Sequence, residues 1–219
     1  MKIKDKLSKA ADNLLNAVKL ARVEASPDWR RDHLGASGAG HKCERYIWLN
    51  FRWAKDPDHS AQLLRLFERG HQEEDRFVSE LRAAGCEVQE VDPETGDQWR
   101  VRWGHVGGSL DGICVAPWLF GGDPFLLEFK THSEKSFARL TAKKNVKSAK
   151  PEHWIQMQIY MLGKDLRYAL YAACSKNTDE IYYEFVEFDE VKAKAALARV
   201  KGIAVTPSAP EKMDASLPP

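Results

Sequence analysis

A chain of 219 residues with 43% hydrophobic side chains is long enough to bury one substantial core, and a single domain over residues 1–219 is expected. Its 33 Lys and Arg stand against 32 Asp and Glu, so attraction for nucleic acid has to come from local clusters and not from a global field. The four cysteines are far apart with no CxxC, and no long uncharged apolar run is present. Those two features exclude a disulfide scaffold and a membrane-spanning helix, and set the expectation of a cytoplasmic protein with reduced thiols.

From about Ile3 to Ala25, the residues Ile3, Leu7, Ala10, Leu14, Val18 and Ala21 recur at helical spacing with Lys and Arg opposite, which predicts an amphipathic helix. The segment SPDWRRDHLGASGAGHK reads as a loop leading into a second helix from about His41 to Ala54. Arg30, Arg31, His33, Ser37, Lys42 and Arg45 gather phosphate-seeking groups around flexible backbone here, and Ser37 with its neighbouring glycine amides is suited to cradle an anion. A solvated surface loop is the alternative. Trp48, Phe51 and Trp53 either stack on bases or fill a core. Asp56-Pro57 interrupts the chain, and Ser60 is placed to cap a long helix reaching about Ala84 and stopped by Gly85. On that helix Leu63, Phe67, Gly70, Phe77, Val78 and Leu81 share one arc, with Glu74 in its middle. Glu73 and Asp75 project to flanking or solvated faces, and His71 sits at the margin. A carboxylate in such a stripe either serves a metal ion or a water, or pairs with an arginine.

Residues 86–116 read as extended runs, CEVQEV, QWRVRW and HVGGSLDGICVA, separated by Asp92-Pro93, Gly96-Asp97 and Gly104. The last run holds Ser109 and Asp111. After a turn at Gly121, Gly122 and Pro124, the segment Phe125 to Lys130 alternates so that Glu128 and Lys130 share one face of a strand while Leu127 and Phe129 take the other. Charges sunk among Leu and Phe are costly unless compensated, and two converging carboxylates suit Mg²⁺ or Mn²⁺. Lys130 would then orient the attacking water and offset charge on a phosphate. A half-exposed Glu–Lys pair near a sheet edge is the bland alternative. The following stretch carries Lys135, Arg139, Lys143, Lys144 and Lys147, read as a DNA-backbone contact or as an ordinary solvated face. Pro151 opens a helix apolar nearly all round yet containing Gln156 and Gln158, whose amides need a metal-bound water, a phosphate or a strand end as partner. Two strands follow around Lys176-Asn177, then a helix over about Glu190 to Lys201, and a Pro-, Ala- and Ser-rich tail, 207–219, expected to fray.

Asp111 followed after seventeen residues by Glu128-Phe129-Lys130 resembles the PD-(D/E)xK nucleases. Three further elements place the resemblance in the lambda-exonuclease and RecB-like branch, over roughly His33 to Phe188. They are Gly70 to Glu74 as G-x-x-x-E, Ser109-Leu110-Asp111-Gly112 as S-x-D-G, and Gln156 with Gln158 and Tyr160 as the downstream glutamine motif. The resemblance implies an α/β fold with a mixed central sheet flanked by helices. It implies Mg²⁺ held by Asp111, Glu128 and the carbonyl of Phe129 and extended by Glu74, with Gln156 positioning Lys130 or the water. It implies a 5′-phosphate pocket of Ser37, Ser109 and an arginine, with Arg30, Arg31 and Arg45 all candidates. The activity implied is 5′→3′ digestion of linear duplex DNA ends, with a trimeric ring and a single-strand annealing partner. The alternatives are a single-strand or endonucleolytic enzyme of the same fold, and a non-catalytic DNA-binding module. The stretch around Cys43 is also similar to the opening motif of RecB-like nucleases with an iron-sulfur cluster. The remaining cysteines lack the required spacing, so no cluster is expected and Cys43 is read as a packed thiol.

Overall fold

A computed structural model describes residues 3–27, 30–54 and 59–212. The expected break at Asp56-Pro57 and the far end of the tail, 213–219, lie outside the described residues. In chain order the elements are α1 (Ile3–Glu24), β1 (Leu34–Gly35), α2 (Glu44–Phe51), α3 (Ala61–Ala83), β2 (Glu87–Gln89), β3 (Arg100–Trp103), β4 (Val106–Ser109) and β5 (Gly112–Val115). They continue with β6 (Phe125–His132), α4 (Glu134–Lys143), α5 (Val146–Ala149), α6 (Pro151–Lys164), β7 (Tyr168–Ser175), β8 (Ile181–Glu187) and α7 (Glu190–Val205).

The expected mixed sheet is present, but as two sheets. β1, β4 and β3 form one, and β2, β5, β6, β7 and β8 form the other in that order, with β6 and β7 parallel and the remaining pairs of that sheet antiparallel. The chain crosses from the small sheet to the large one at Leu110-Asp111, between β4 and β5. Alternation along β6 then sorts its two faces. Phe125, Leu127 and Phe129 pack with Phe77, Val78 and Leu81 of α3, whereas Leu126 packs with Met157, Ile159 and Met161 of α6 and, further out, α7. Glu128, Lys130 and His132 lie on the α6 face.

Ser60 caps α3, its Oγ accepting from Leu63 N at 3.2 Å. Gly85 ends that helix with a φ of +89°, a conformation that costs glycine little. Only part of the expected arc on α3 is buried. Phe77, Val78 and Leu81 are covered, while Phe67 is 37% exposed and Leu64, outside that arc, is buried in place of Leu63, because the sheet runs under the C-terminal half of the helix. α7 continues to Val205, beyond the expected Lys201, since Ile203 and Ala204 still bury apolar surface. α4 and α5 fill what read in sequence only as a basic run, and they are fixed to the core by Phe137, Leu140 and Val146. α1 buries none of its residues. Among the described residues, no helix is long and apolar enough to cross a membrane.

Candidate active site

β5 pairs with β6 only as far as Gly112 opposite Leu127, so from Glu128 onward β6 has β7 on one side and no strand on the other. That open side would leave the Phe129 peptide group without partners. Asp111, at the crossing between the sheets, supplies one: its Oδ2 accepts from Phe129 N at 2.7 Å. The ammonium of Lys130 supplies the other, donating to the Phe129 carbonyl at 3.0 Å. The break between sheets thus brings together Asp111, Glu128, the Phe129 carbonyl and Lys130.

Glu128 is fully buried and forms an ion pair through Oε1 with Lys130 Nζ, but neither carboxylate oxygen has a well-formed hydrogen bond among the described residues. Burial pushes its carboxyl up to about 7, against the opposing pull of Lys130 and with added repulsion from Asp111. For Lys130, burial acts to lower the ammonium, yet the charges of Glu128 and Asp111 outweigh it and hold it above the ordinary lysine range. Glu74 lines a cavity with Phe129 and Lys130 from the α3 side of the sheet, one helical turn before Phe77, which stacks on Phe129 at 5.1 Å. Burial and then the charge of Asp111 raise the Glu74 carboxyl, offset in part by His71, whose Nδ1 lies 3.6 Å away, and by Lys130. A cavity of about 170 Å³ between Glu73, Glu74, Phe129 and Lys130 opens at this point.

The donor set fits a hard divalent cation in part. Asp111, Glu128 and the Phe129 carbonyl are oxygen ligands around a buried acid lacking hydrogen bonds, which is the chemistry Mg²⁺ or Mn²⁺ satisfies. Among the described residues no three His, Cys, Asp or Glu side chains are drawn together as a cage, so Glu74 stands outside a closed ligand set.

A larger cavity, about 820 Å³, lies on the small-sheet side of this centre. Ser37, Ser109, Arg30, Arg31, Gln156 and Tyr160 all line it. Tyr160 packs so closely on Gly108 that a Cβ there would fall 2.6 Å from the phenol oxygen, so only glycine lets β4 pass. Gln156 donates to Tyr160 OH at 3.4 Å. Sequence reasoning passed over Arg100 and Arg102, which line the same cavity. Arg102 grips Asp32 through two bonds of 3.0 and 2.9 Å, and with His33 it holds that exposed carboxylate well below the usual range.

Other candidates are placed elsewhere. Arg45 points away, donating to the Pro210 carbonyl at 2.8 Å, because α2 turns it toward the described part of the tail. Lys143 donates to Ser148 O, and Lys147 sits over the Trp154 ring with Asp189 3.9 Å away. These two lysines therefore secure α4, α5 and α6, while Lys135, Arg139 and Lys144 are exposed. Gln158 bonds the Glu187 carbonyl and accepts from Asp189 N, which ties the end of β8 to α6 and keeps it out of the site. Glu73, expected on a solvated flank, is the more buried of the two neighbouring acids, at 13% side-chain exposure against 40% for Glu74. Cys43 caps α2, accepting from Tyr46 N. Trp48 and Phe51 pack against the core.

A buried cluster behind Lys130 was barely legible in the sequence. Tyr171, opposite Glu128 on β7, has its hydroxyl 2.8 Å from both His132 Nε2 and His153 Nδ1. Burial, then the charges of nearby lysines, lowers these imidazoles to about 4 and about 3, so both are neutral. Only the spacing of Glu128, Lys130 and His132 along one strand face hinted at this.

Taken together, the divided mixed sheet and the helices on both faces form an α/β fold shared with solved nuclease structures. No protein-family model matches the sequence, and no curated protein matches it by sequence. Among solved structures, the chain is similar to an alkaline exonuclease, LHK-Exo, from Laribacter hongkongensis, with 17% identity and a TM-score of 0.53 over 79% of this chain and 90% of that one. It is also similar to the protein SSO0001, with 13% identity and a TM-score of 0.51 over 92% of this chain and 89% of that one.

Proposed function

We propose that this protein is a Mg²⁺-dependent DNA exonuclease that degrades linear duplex DNA from its 5′ ends, in phage-type recombination or end resection. The observation that carries the reading is Glu128. A fully buried carboxylate without proper hydrogen bonds, beside Asp111 and an ammonium, is costly to fold and is explained by a cation it serves. The likeness in fold to an alkaline exonuclease supports the same class of reaction.

In this reading Asp111, Glu128 and the Phe129 carbonyl hold Mg²⁺, for which Mn²⁺ substitutes, and Glu74 extends the site toward its waters. The ion, when bound, makes water more acidic and neutralises phosphate charge. Lys130 orients the attacking water, and its charge offsets that gathering on the phosphate oxygens. The water oxygen bonds to phosphorus as the bond to the 3′ oxygen breaks, so a 5′-mononucleotide leaves with its 3′ oxygen taking up the proton the water gives up, and the shortened strand keeps the attacked phosphate as its new 5′ end. Gln156 positions the water from α6. Ser37, Ser109 and Arg31, with Arg100 and Arg102 near them, receive the 5′-terminal phosphate. Lys135, Arg139 and Lys144 remain candidates for the backbone beyond it. A single catalytic domain, a ring-shaped trimer, a single-strand annealing partner and action in the cytoplasm complete the proposal.

The test is digestion of an end-labelled linear duplex with Mg²⁺. Label at the 5′ end should be released first, as mononucleotide, and Lys130→Ala should abolish release. Equal digestion by that variant would remove the assignment. Digestion of closed circles or a preference for single strands would redirect it to the endonuclease or single-strand form. The complete Asp111, Glu128 and Lys130 set argues against a non-catalytic module, since a scaffold that only binds gains nothing from the cost of Glu128.

A further inference from the structure

Beyond Glu73 the metal pocket adjoins a second cleft, of about 600 Å³, that no part of the proposed reaction uses. Its floor is one face of α3, where Arg65, Arg69, Gln72 and Arg76 recur at helical spacing. Arg22 of α1 forms one wall and Asp179, in the turn between β7 and β8, the other.

The charges in the cleft are not balanced in place. Arg22 meets Glu68 at 2.5 Å and Arg76 meets Glu73 at 3.2 Å, so two of the four arginines have carboxylate partners. Arg69 donates one N–H to the Lys176 carbonyl, a neutral acceptor. Arg65 makes no hydrogen bond with a described residue, and its charge falls on Glu68, which Arg22 already holds. Two guanidinium groups therefore face a walled groove with fork-shaped donors suited to phosphate oxygens. From Arg65 to Arg76 the helix rises roughly 16 Å. A stacked strand carries a phosphate for roughly every 3.4 Å, so several phosphates fit. Leu66, 38% exposed on the same surface, offers an apolar contact to a sugar or base.

We propose that this arginine face of α3 is a binding site for the phosphates of one DNA strand, the strand that runs on from the scissile phosphate past Glu73. The inference rests on the nuclease reading for its direction, because Glu73 is common to the cleft and the metal pocket. The site lies across the reaction centre from the cavity of Ser37 and Ser109, so the substrate is held on both sides of the bond to be cut.

The experiment uses the full chain with Ca²⁺ in place of Mg²⁺ and a fluorescein-labelled single strand, read by anisotropy over a range of salt. Arg65→Gln with Arg69→Gln should weaken binding and flatten the salt dependence by about 1.4, at roughly 0.7 for each single-strand phosphate that is no longer neutralised. Arg65→Gln alone, which removes no internal hydrogen bond, should flatten it by about 0.7. With Mg²⁺, kcat/KM on the p-nitrophenyl ester of thymidine 5′-phosphate, too short to reach the cleft, should equal that of the wild type. Unchanged affinity and salt slope in both variants overturn the proposal, even where the wild type digests DNA. If the wild type cleaves neither substrate but the variants still lose affinity, the nuclease reading falls and the strand site stands.

Discussion

Replacing Glu128 by Gln tests the energetic argument at its centre. The folded protein holds this carboxyl at about 7, against 4.5 in the unfolded chain, because burial opposes its ionisation. A carboxyl raised in this way binds its proton more tightly when folded. The stability it confers is complete below pH 4.5 and is lost as pH climbs through 7. At roughly 1.4 kcal/mol per decade of proton affinity, the loss approaches about 3 kcal/mol at the alkaline end. The amide of Glu128→Gln cannot ionise, so the variant escapes that loss. Removing the acid also strips Lys130 of the charge that does most to hold its ammonium up against burial, so a Lys130→Met companion measured at the same pH values separates the ammonium's own pH dependence. Urea unfolding in EDTA at intervals from pH 5 to 8.5 isolates the term. The difference between variant and wild type should move by about 2.5 kcal/mol in the variant's favour over that range, whatever its sign at pH 5. A difference that stays flat with pH would mean that Glu128 is compensated inside the fold, and the case for a cation would go with it.

Asp111→Asn keeps an oxygen able to accept from Phe129 N but loses the charge, so it should leave the melting temperature close to that of the wild type while ending Mg²⁺-dependent release of nucleotides. Loss of the fold instead would make Asp111 a structural residue first. Arg31→Ala should raise KM for duplexes with a 5′ phosphate and leave those with a 5′ hydroxyl unaffected. Arg45→Ala, which only frees Pro210, should do neither, and an equal effect from both would separate the cavity from the end preference. Phe77→Ala removes a ring that is 1% exposed and stacked on Phe129, at a cost of about 3–5 kcal/mol in denaturant unfolding. A cost below about 1 kcal/mol would show that α3 is not braced through that stacking.

The sequence made some of this legible because the chemistry interrupts an apolar background. Glu128 and Lys130 stood out as charges alternating with Leu127 and Phe129, and Glu74 stood out inside the stripe that runs from Leu63 to Leu81. The boundaries of α3 were readable from Ser60 and Gly85, since caps and stops are local events. α4 was hidden for the opposite reason: six basic residues between Thr131 and Lys150 masked the spacing of Phe137 and Leu140. Arg45 is near Ser37 in sequence but is carried off by the pitch of α2, and proximity along the chain could not reveal that. His132, Tyr171 and His153 are ordinary one by one. They meet only because β6 and β7 pair in parallel and α6 crosses above them, bringing together segments far apart in the chain.

The least legible feature is the one on which the site depends. Val106 to Val115 reads as one extended run, and nothing in its composition marks a change of sheet at Leu110-Asp111. Yet an uninterrupted strand would pair with β6 along its length, and the Phe129 N–H and carbonyl would be consumed by the ladder. By leaving the large sheet before it reaches Glu128, the chain exposes one peptide group that must be satisfied by side chains. Asp111 meets the N–H with Oδ2 alone, so Oδ1 is not spoken for among the described residues. The carbonyl accepts from an ammonium, which is itself a cation at the position where two acids and a peptide oxygen converge. Strand pairing and service by side chains are therefore alternatives for this peptide group, and the break in the sheet decides between them.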